Sequence, residues 1–319
     1  MRIGVIGTGR HGSRYASHIV NDIDGLELAA ICRRSDEGEE QAKEWDCTLY
    51  RDWQDLVSDC NVEAVIAVAP PVLNGAIARK CAAEGKSLLV EKPLAVSIAA
   101  AAEIVDLFSG RNLPLTVGHT LRYNQVIQAM RNELPSIGTL FSFSANQRLE
   151  PSTLAWHDDP GLAGAGVSFH TAVHVFDALR FITGLEVKRL IAVTHRQHNQ
   201  YMEDLLAVLV EMEENVIGTI DCSKVGHARS GRFEFVGYDG QLHGDQVHNT
   251  IEKITVSQVE KYESCAPVST IIPLLEDWRK YLAGEGSNPV SGVDGLQAVR
   301  LCEACLESAR IGSWVNLPV

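Results

Sequence analysis

Three groups of residues have types and spacing that could do chemistry. Gly7, Gly9 and Gly12 stand in "VIGTGRHG" with Thr8, Arg10 and His11 among them. This GxGxxG spacing follows a short apolar strand and opens a helix, the context in which it binds a dinucleotide. Gly7 permits a tight turn, Gly9 lets a pyrophosphate approach the backbone, and Gly12 allows close helix–strand packing. Free N–H groups at the helix start favour the phosphates. The second group is Glu91, Lys92 and Pro93, at the end of the apolar run "SLLVEKPLA". Ligands of open α/β sheets bind at the carboxyl edge of the strands, so Lys92 is expected beside a nicotinamide. A partly desolvated lysine there has a lowered pKa and can hydrogen-bond or deprotonate a hydroxyl. A cis bond at Pro93 would aim it. The third group is His170 and His174 in "GVSFHTAVHVFD", four apart and so on one face of a regular helix.

The residues ending the second strand bear on which dinucleotide binds. Ile31-Cys32-Arg33-Arg34-Ser35 places Arg33 where NAD-binding units usually carry an acid for the ribose hydroxyls. Two guanidiniums and a hydroxyl suit a 2′-phosphate, so NADP(H) is expected over NAD(H). The alternative is a solvated surface pair neutralised by Asp36 and Glu37. Ala69 and Pro70, at the end of the strand "AVIAVAP", are further candidates for lining the cofactor.

The elements that must position these residues fall into two sets. Through about residue 120, short β-rich runs alternate with helical stretches, which predicts βαβ units and a doubly wound parallel Rossmann sheet. From residue 121 to 319, successive strand candidates run from "TLFSFSANQRL" to "IEKITVSQVEK", interrupted by one long helix from about Gly166 to Thr183. That pattern predicts an α+β domain with a large, mostly antiparallel open sheet. Two terminal helices follow, which could pack back on the first domain.

Composition excludes several function classes. A net charge of -13 over 319 residues offers no broad cationic surface for nucleic acid or an anionic membrane. No apolar run approaches the roughly 20 residues of a membrane helix. Met1-Arg2 runs straight into "IGVIG", so no secretory signal is expected and the cytoplasm is the expected compartment. The eight cysteines are scattered, with one CxxC, Cys302 to Cys305, inside a helical stretch; buried small side chains are the expected reading. HxxxH without a further ligand at metal spacing gives no reason to expect a metal, although His157 and Asp158 are nearby in sequence.

The motifs "IGVIGTGRHG", "SLLVEKPLA", "VGHTLRYN", "LAGAGVSFHTAVHVFDALRFITG" and "SGVDGLQAV…ESAR" span nearly the whole chain. Together they resemble the glucose–fructose oxidoreductase/inositol dehydrogenase (Gfo/Idh/MocA) family. The resemblance implies a Rossmann domain, a C-terminal α/β domain whose open sheet forms a homo-oligomer (a dimer or tetramer), and hydride transfer between NAD(P) and a sugar, cyclitol or related polyol. It implies that Lys92 is the catalytic lysine, that His174 is the catalytic histidine of a DxxxH pattern, and that Asp177 is the acid that often follows.

The chain departs from that pattern at His170, which replaces the DxxxH acid, and at Ala172, which replaces a glycine. Pro70-Pro71 through Asn74 replace the usual Pro-Asn pair and histidine. His174 is thus expected as general acid/base with Lys92 beside it, and His170 as a relay or substrate contact. Arg122, Tyr123, Trp156 and His157 are candidates for lining the substrate pocket. Two alternatives carry other functions on the same fold: a non-catalytic NADP-binding sensor, and a glycosidase that uses bound NAD in a redox cycle.

Overall fold

The computed structural model describes residues 1–262 and 268–318; Cys265 lies outside them. The described chain divides into two compact units, residues 1–120 with 269–297, and residues 121–268 with 298–319.

In the first unit, β1 (Arg2–Ile6), β2 (Glu27–Cys32), β3 (Thr48–Tyr50), β4 (Ala64–Ala67), β5 (Ser87–Glu91) and β6 (Leu115–Gly118) form one sheet in the order β3-β2-β1-β4-β5-β6. Every neighbouring pair is parallel, and the order reverses between β1 and β4, where doubly wound sheets bind dinucleotides. Helices α1 (Gly12–Asn21), α2 (Glu37–Glu44), α3 (Trp53–Ser58), α4 (Asn74–Ala83) and α5 (Ile98–Ser109) make the crossovers. Strand β4 is buried at all four residues and β5 at four of five, as expected for a sheet covered on both faces. Helix α1 buries Gly12, Tyr15, Ala16 and Ile19, a stripe at helical spacing. Strand β3 and helix α3 were not expected; three and six residues are too short to show a period.

In the second unit, α6 (Gln125–Glu133) starts at Asn124, whose side chain accepts from Val126 N and Ile127 N. Then come β7 (Leu140–Arg148), the one-turn α7 (Pro160–Ala163), α8 (Val173–Thr183) and β8 (Val187–His195). Strands β9 (Leu205–Met212), β10 (Ile217–Ser223), β11 (Arg232–Gly237), β12 (Gln241–Asp245), β13 (Thr250–Ile254) and β14 (Val259–Tyr262) follow. With β15 (Val315–Asn316) they form a nine-stranded sheet, β14-β13-β12-β11-β7-β10-β9-β8-β15. The β7–β10 pair is parallel and the other seven pairs are antiparallel. One face is core: Leu190, Ala192, Val208, Val210, Ile220 and Phe233 are buried. The fold class is therefore α/β, a Rossmann sheet followed by a domain with a mostly antiparallel sheet.

Helix α9 (Ile271–Leu282) belongs to the first unit, and the unit boundary falls inside α10 (Gly292–Ile311). Among the described residues, no helix is long and apolar enough to cross a membrane.

The expected long helix from about Gly166 to Thr183 is present, helical without a break from Val167, but not of one winding throughout. Residues Ser168–Ala172 form a π-helical turn, in which Val173 N–H reaches back to Ser168 O, and regular α-helix begins at Val173. His170 lies within the π-turn and His174 in the regular helix after it, so the junction falls between the two histidines.

Candidate active site

In the first unit the glycine turn is shaped as its spacing requires. Gly7 has φ +87°, and a Cβ there would lie 2.2 Å from Val68 O. A Cβ on Gly12 would lie 2.1 Å from Gly7 O, whereas one on Gly9 would meet nothing within 4 Å. The backbone thus leaves open space where a pyrophosphate would approach, at the start of α1. The residues present fit a dinucleotide.

Arg33 turns back onto this loop. Its Nη1 donates to Thr8 O at 2.7 Å, its Nε to Ser35 Oγ at 2.8 Å, and its Nη2 lies 3.3 Å from Glu37. Buried Thr8 also donates to Gln41 Oε1 at 2.8 Å. Arg34 and Ser35 border a pocket of about 650 Å³ whose other lining residues are Asp36, Glu37, Glu39 and Glu40. Arg51, unremarked in the sequence, steadies the rim by donating to the carbonyls of Arg33, Arg34 and Ser35.

Glu91 is the buried hub beneath the turn. Its Oε1 accepts from Tyr15 OH at 2.5 Å and contacts His11 Nε2 at 3.0 Å, while Oε2 accepts from Lys92 N at 3.1 Å. Burial raises the Glu91 carboxyl, but the His11 hydrogen bond and charge, the Tyr15 hydrogen bond and the Lys92 charge outweigh it, leaving the carboxyl below its ordinary range. Burial and then Glu91 push the Tyr15 hydroxyl well up. A Cβ on Gly118 would stand 3.0 Å from Glu91 Oε1, so the hub has no spare room. Half-buried Lys92 leaves the carboxyl end of β5 through a cis peptide bond to Pro93. Asn74 holds the next residues, its Nδ2 donating to Pro93 O at 3.0 Å and Leu94 O at 3.2 Å. Ala69 and Pro70 lie half-buried between β4 and the short turn at Pro71.

In the second unit, His170 and His174 are half-buried on the π-turn and on α8. Glu203 fixes the start of that segment: its Oε1 accepts from Gly166 N at 3.0 Å and Ser168 N at 3.1 Å, and its backbone oxygen accepts from Val167 N at 2.8 Å. A Cβ on Gly166 would lie 1.9 Å from that oxygen. On the other side Cys302 Sγ donates to Ser168 O at 3.1 Å. The sequence shows Glu203 only as an acid before a strand.

Three expected substrate-site residues do come together. The rings of His157 and His170 stack at 4.2 Å and 23°. Trp156 meets them edge-on at 4.1 and 5.5 Å. Ser152 Oγ and Lys224 Nζ lie 2.8 and 3.1 Å from His157 Nδ1. Arg122 and Asp177 instead pair with each other, Nε to Oδ2 at 2.9 Å and Nη2 to Oδ1 at 2.7 Å, both buried. Tyr123 closes the short turn containing Arg122. Among the described residues, no group of three or more His, Cys, Asp or Glu is placed to hold a metal ion.

A model of the oxidoreductase family's NAD-binding Rossmann fold (GFO_IDH_MocA) matches residues 1–119, and one of its C-terminal alpha/beta domain matches residues 133–317. The chain belongs to the Gfo/Idh/MocA oxidoreductase family. Its relatives include a D-apiose dehydrogenase of Paraburkholderia graminis, 26% identical with 96% of this chain and 87% of that protein covered. A myo-inositol 2-dehydrogenase of Thermotoga maritima is also 26% identical, over 97% and 96%. A levoglucosan dehydrogenase in complex with NADH and levoglucosan shares the fold, with TM-score 0.91, 20% identity and 100% of both chains covered. As a member of this family the protein is an oxidoreductase with a nicotinamide-dinucleotide-binding domain.

Proposed function

We propose that this protein is an NADP(H)-preferring dehydrogenase or reductase of a sugar, cyclitol or related polyol. Two of its relatives are a D-apiose dehydrogenase and a myo-inositol 2-dehydrogenase, which supports the substrate class. The observation that carries the reading is Lys92 at the carboxyl edge of β5, its backbone tied to the buried Glu91 hub that also holds the glycine turn.

Gly7, Thr8, Gly9, Arg10, His11 and Gly12 would hold the pyrophosphate, and Ala69 and Pro70 would border the dinucleotide. Arg33, Arg34 and Ser35 would take the 2′-phosphate, with Arg33 exchanging Glu37 for it. A bound nicotinamide supplies the acceptor or donor of the hydride. Lys92 hydrogen-bonds the substrate oxygen, and His174 takes the hydroxyl proton in oxidation and returns it in reduction. His170 contacts the substrate or relays that proton. The alcohol loses one hydride and one proton, and the carbonyl gains them in reverse.

The test is a panel of sugars, cyclitols and their keto forms followed by nicotinamide absorbance, with NADP(H) and NAD(H) dissociation constants measured in parallel. Turnover with tighter NADP(H) binding is expected; tighter NAD(H) binding overturns the cofactor preference. The substitution of the family acid by His170 favours one other reading, a cofactor-binding sensor. Binding without turnover on any member of the panel would establish that reading instead. The proposal also includes a cytoplasmic location and a homo-oligomer formed through the second unit's sheet.

A further inference from the structure

We propose that Asn74 is a positioning residue for the reaction: its carboxamide clamps the two peptide oxygens that follow Lys92 and so fixes where the lysine ammonium meets the substrate oxygen. This rests on the role given to Lys92 above. Asn74 opens α4, the helix that leaves the carboxyl end of β4, and β4 lies beside β5 in the sheet. Its side chain is buried, with the residue 1% exposed. Asparagine at a helix start ordinarily serves as a cap, its oxygen accepting from an N–H of the first turn. That use is absent here. No side chain caps the start of α4, and Asn74 Oδ1 is buried without a hydrogen-bond partner among the described residues. The amide nitrogen, with two N–H groups, reaches across to the end of the neighbouring strand. It donates to Pro93 O at 3.0 Å and to Leu94 O at 3.2 Å. A buried acceptor left unpaired is a cost, so the two donors are what this position uses.

The segment that Asn74 holds has few other hydrogen bonds. Pro93 carries no N–H, and among the described residues no backbone N–H reaches the oxygen of Pro93 or of Leu94. On the other side of Lys92, its backbone N–H donates to Glu91 Oε2 at 3.1 Å. The lysine backbone is therefore held before and after, by the Glu91 carboxylate and by the Asn74 amide. The Leu94 side chain is fully buried and closely packed, since a Cβ on Gly295 would stand 3.2 Å from Leu94 Cβ. That packing fixes the leucine, while the tilt of the peptide planes is set by where their oxygens bond. The ammonium stands at the end of a flexible four-carbon stem, so a small rotation of those planes displaces it. A misplacement of about 1 Å can cost about a hundredfold in rate.

The experiment uses the full-length protein with NADP(H) and the fastest substrate of the sugar and cyclitol panel. It compares Asn74→Leu, which keeps the bulk and drops both donors, with Asn74→Asp, which keeps the outline. Single-turnover hydride transfer is expected to fall by about ten- to a hundredfold in each, with NADP(H) dissociation constants close to wild type. Asn74→Asp should recover toward the wild-type rate as pH falls. A carboxyl buried against two carbonyl oxygens has a raised pKa and, once protonated, can donate to one of them. In the Lys92→Met background Asn74→Leu should cost little further, because the group it positions is gone. In the protein without cofactor or substrate, Asn74→Leu should quicken hydrogen exchange in residues 91–96, read by mass spectrometry. Asn74→Ser, with one donor, is expected between wild type and these variants, and replaces either one that does not fold. Wild-type kcat in the variants, weaker NADP(H) binding with kcat unchanged, losses that add fully to that of Lys92→Met, or unchanged exchange would each overturn the positioning role and leave Lys92 its own. A near-normal rate in Lys92→Met, or no hydride transfer from any member of the panel, removes the underlying reading and this inference with it.

Discussion

Lys92→Met and His174→Ala are each expected to lower kcat by about two to four orders of magnitude, the usual yield of positioned proton transfer. NADP(H) dissociation constants should stay close to wild type, because neither side chain is asked to hold the phosphates. Single-turnover absorbance and cofactor titration check the two halves; a near-normal rate in either variant refutes its role. Glu91 makes a pH prediction. Its carboxyl is depressed from the ordinary 4.5, so the unfolded state binds the proton more readily. The stability it contributes is complete above that ordinary value and is lost as pH falls through the lower folded one. Glu91→Gln should flatten the acid limb of unfolding free energy against pH, measured by urea denaturation. An unchanged acid limb would show that the hub does not carry it.

At the scale of elements, the segment bearing both histidines is held from two sides. Arg122 and Asp177 fasten α8 to the turn before α6, with side-chain exposures of 11% and 1%. Removing the guanidinium takes a bidentate charged partner from a buried carboxylate, so Arg122→Met should cost about 3–5 kcal/mol. Pairing it with Asp177→Leu should recover part of that loss, and denaturation curves of the single and double variants decide. Glu203 closes the N-terminal end. Glu203→Ala leaves two buried N–H groups without their acceptor, at about 1–3 kcal/mol. Glu203→Gln, which keeps an acceptor oxygen, should recover most of the kcat lost in Glu203→Ala. If the segment's start did not matter to His170 and His174, both Glu203 variants would keep wild-type kcat while differing only in stability.

For the whole molecule, the open face of the second sheet bears on assembly. Val193, Leu209 and Ile217 are 57%, 43% and 54% exposed. Leu209 lies opposite Ile191 on one neighbouring strand and Thr219 on the other, and Val193 lies opposite Ala207. Side chains at these positions share one face, the opposite face being core, so they make a contiguous patch of the kind that marks an interface. Leu209→Lys should shift the protein toward monomer in light scattering after size exclusion. A monomeric wild type would remove the proposed oligomer.

The glycine turn, the Glu-Lys-Pro strand end and the paired histidines were legible because each is local. A tight turn, a strand terminus and a four-residue spacing are written in consecutive residues, and period-2 and period-3.6 patterns reveal the elements around them. The α/β class followed from the same local patterns. What the sequence could not decide was pairing at long range and the exact winding of a turn. Glu91 with Tyr15, Arg122 with Asp177, Glu203 with Gly166 and Lys224 with His157 are separated by 76, 55, 37 and 67 residues. Their types are ordinary, and only burial beside one another makes them specific. The π-turn under His170 was likewise not legible, because one turn of altered winding leaves no period of its own in the sequence. Sequence alone thus named the candidate groups for binding a dinucleotide and moving a proton. Packing chose their partners, because an ionised or polar side chain taken out of water must be matched by whatever the fold brings alongside it.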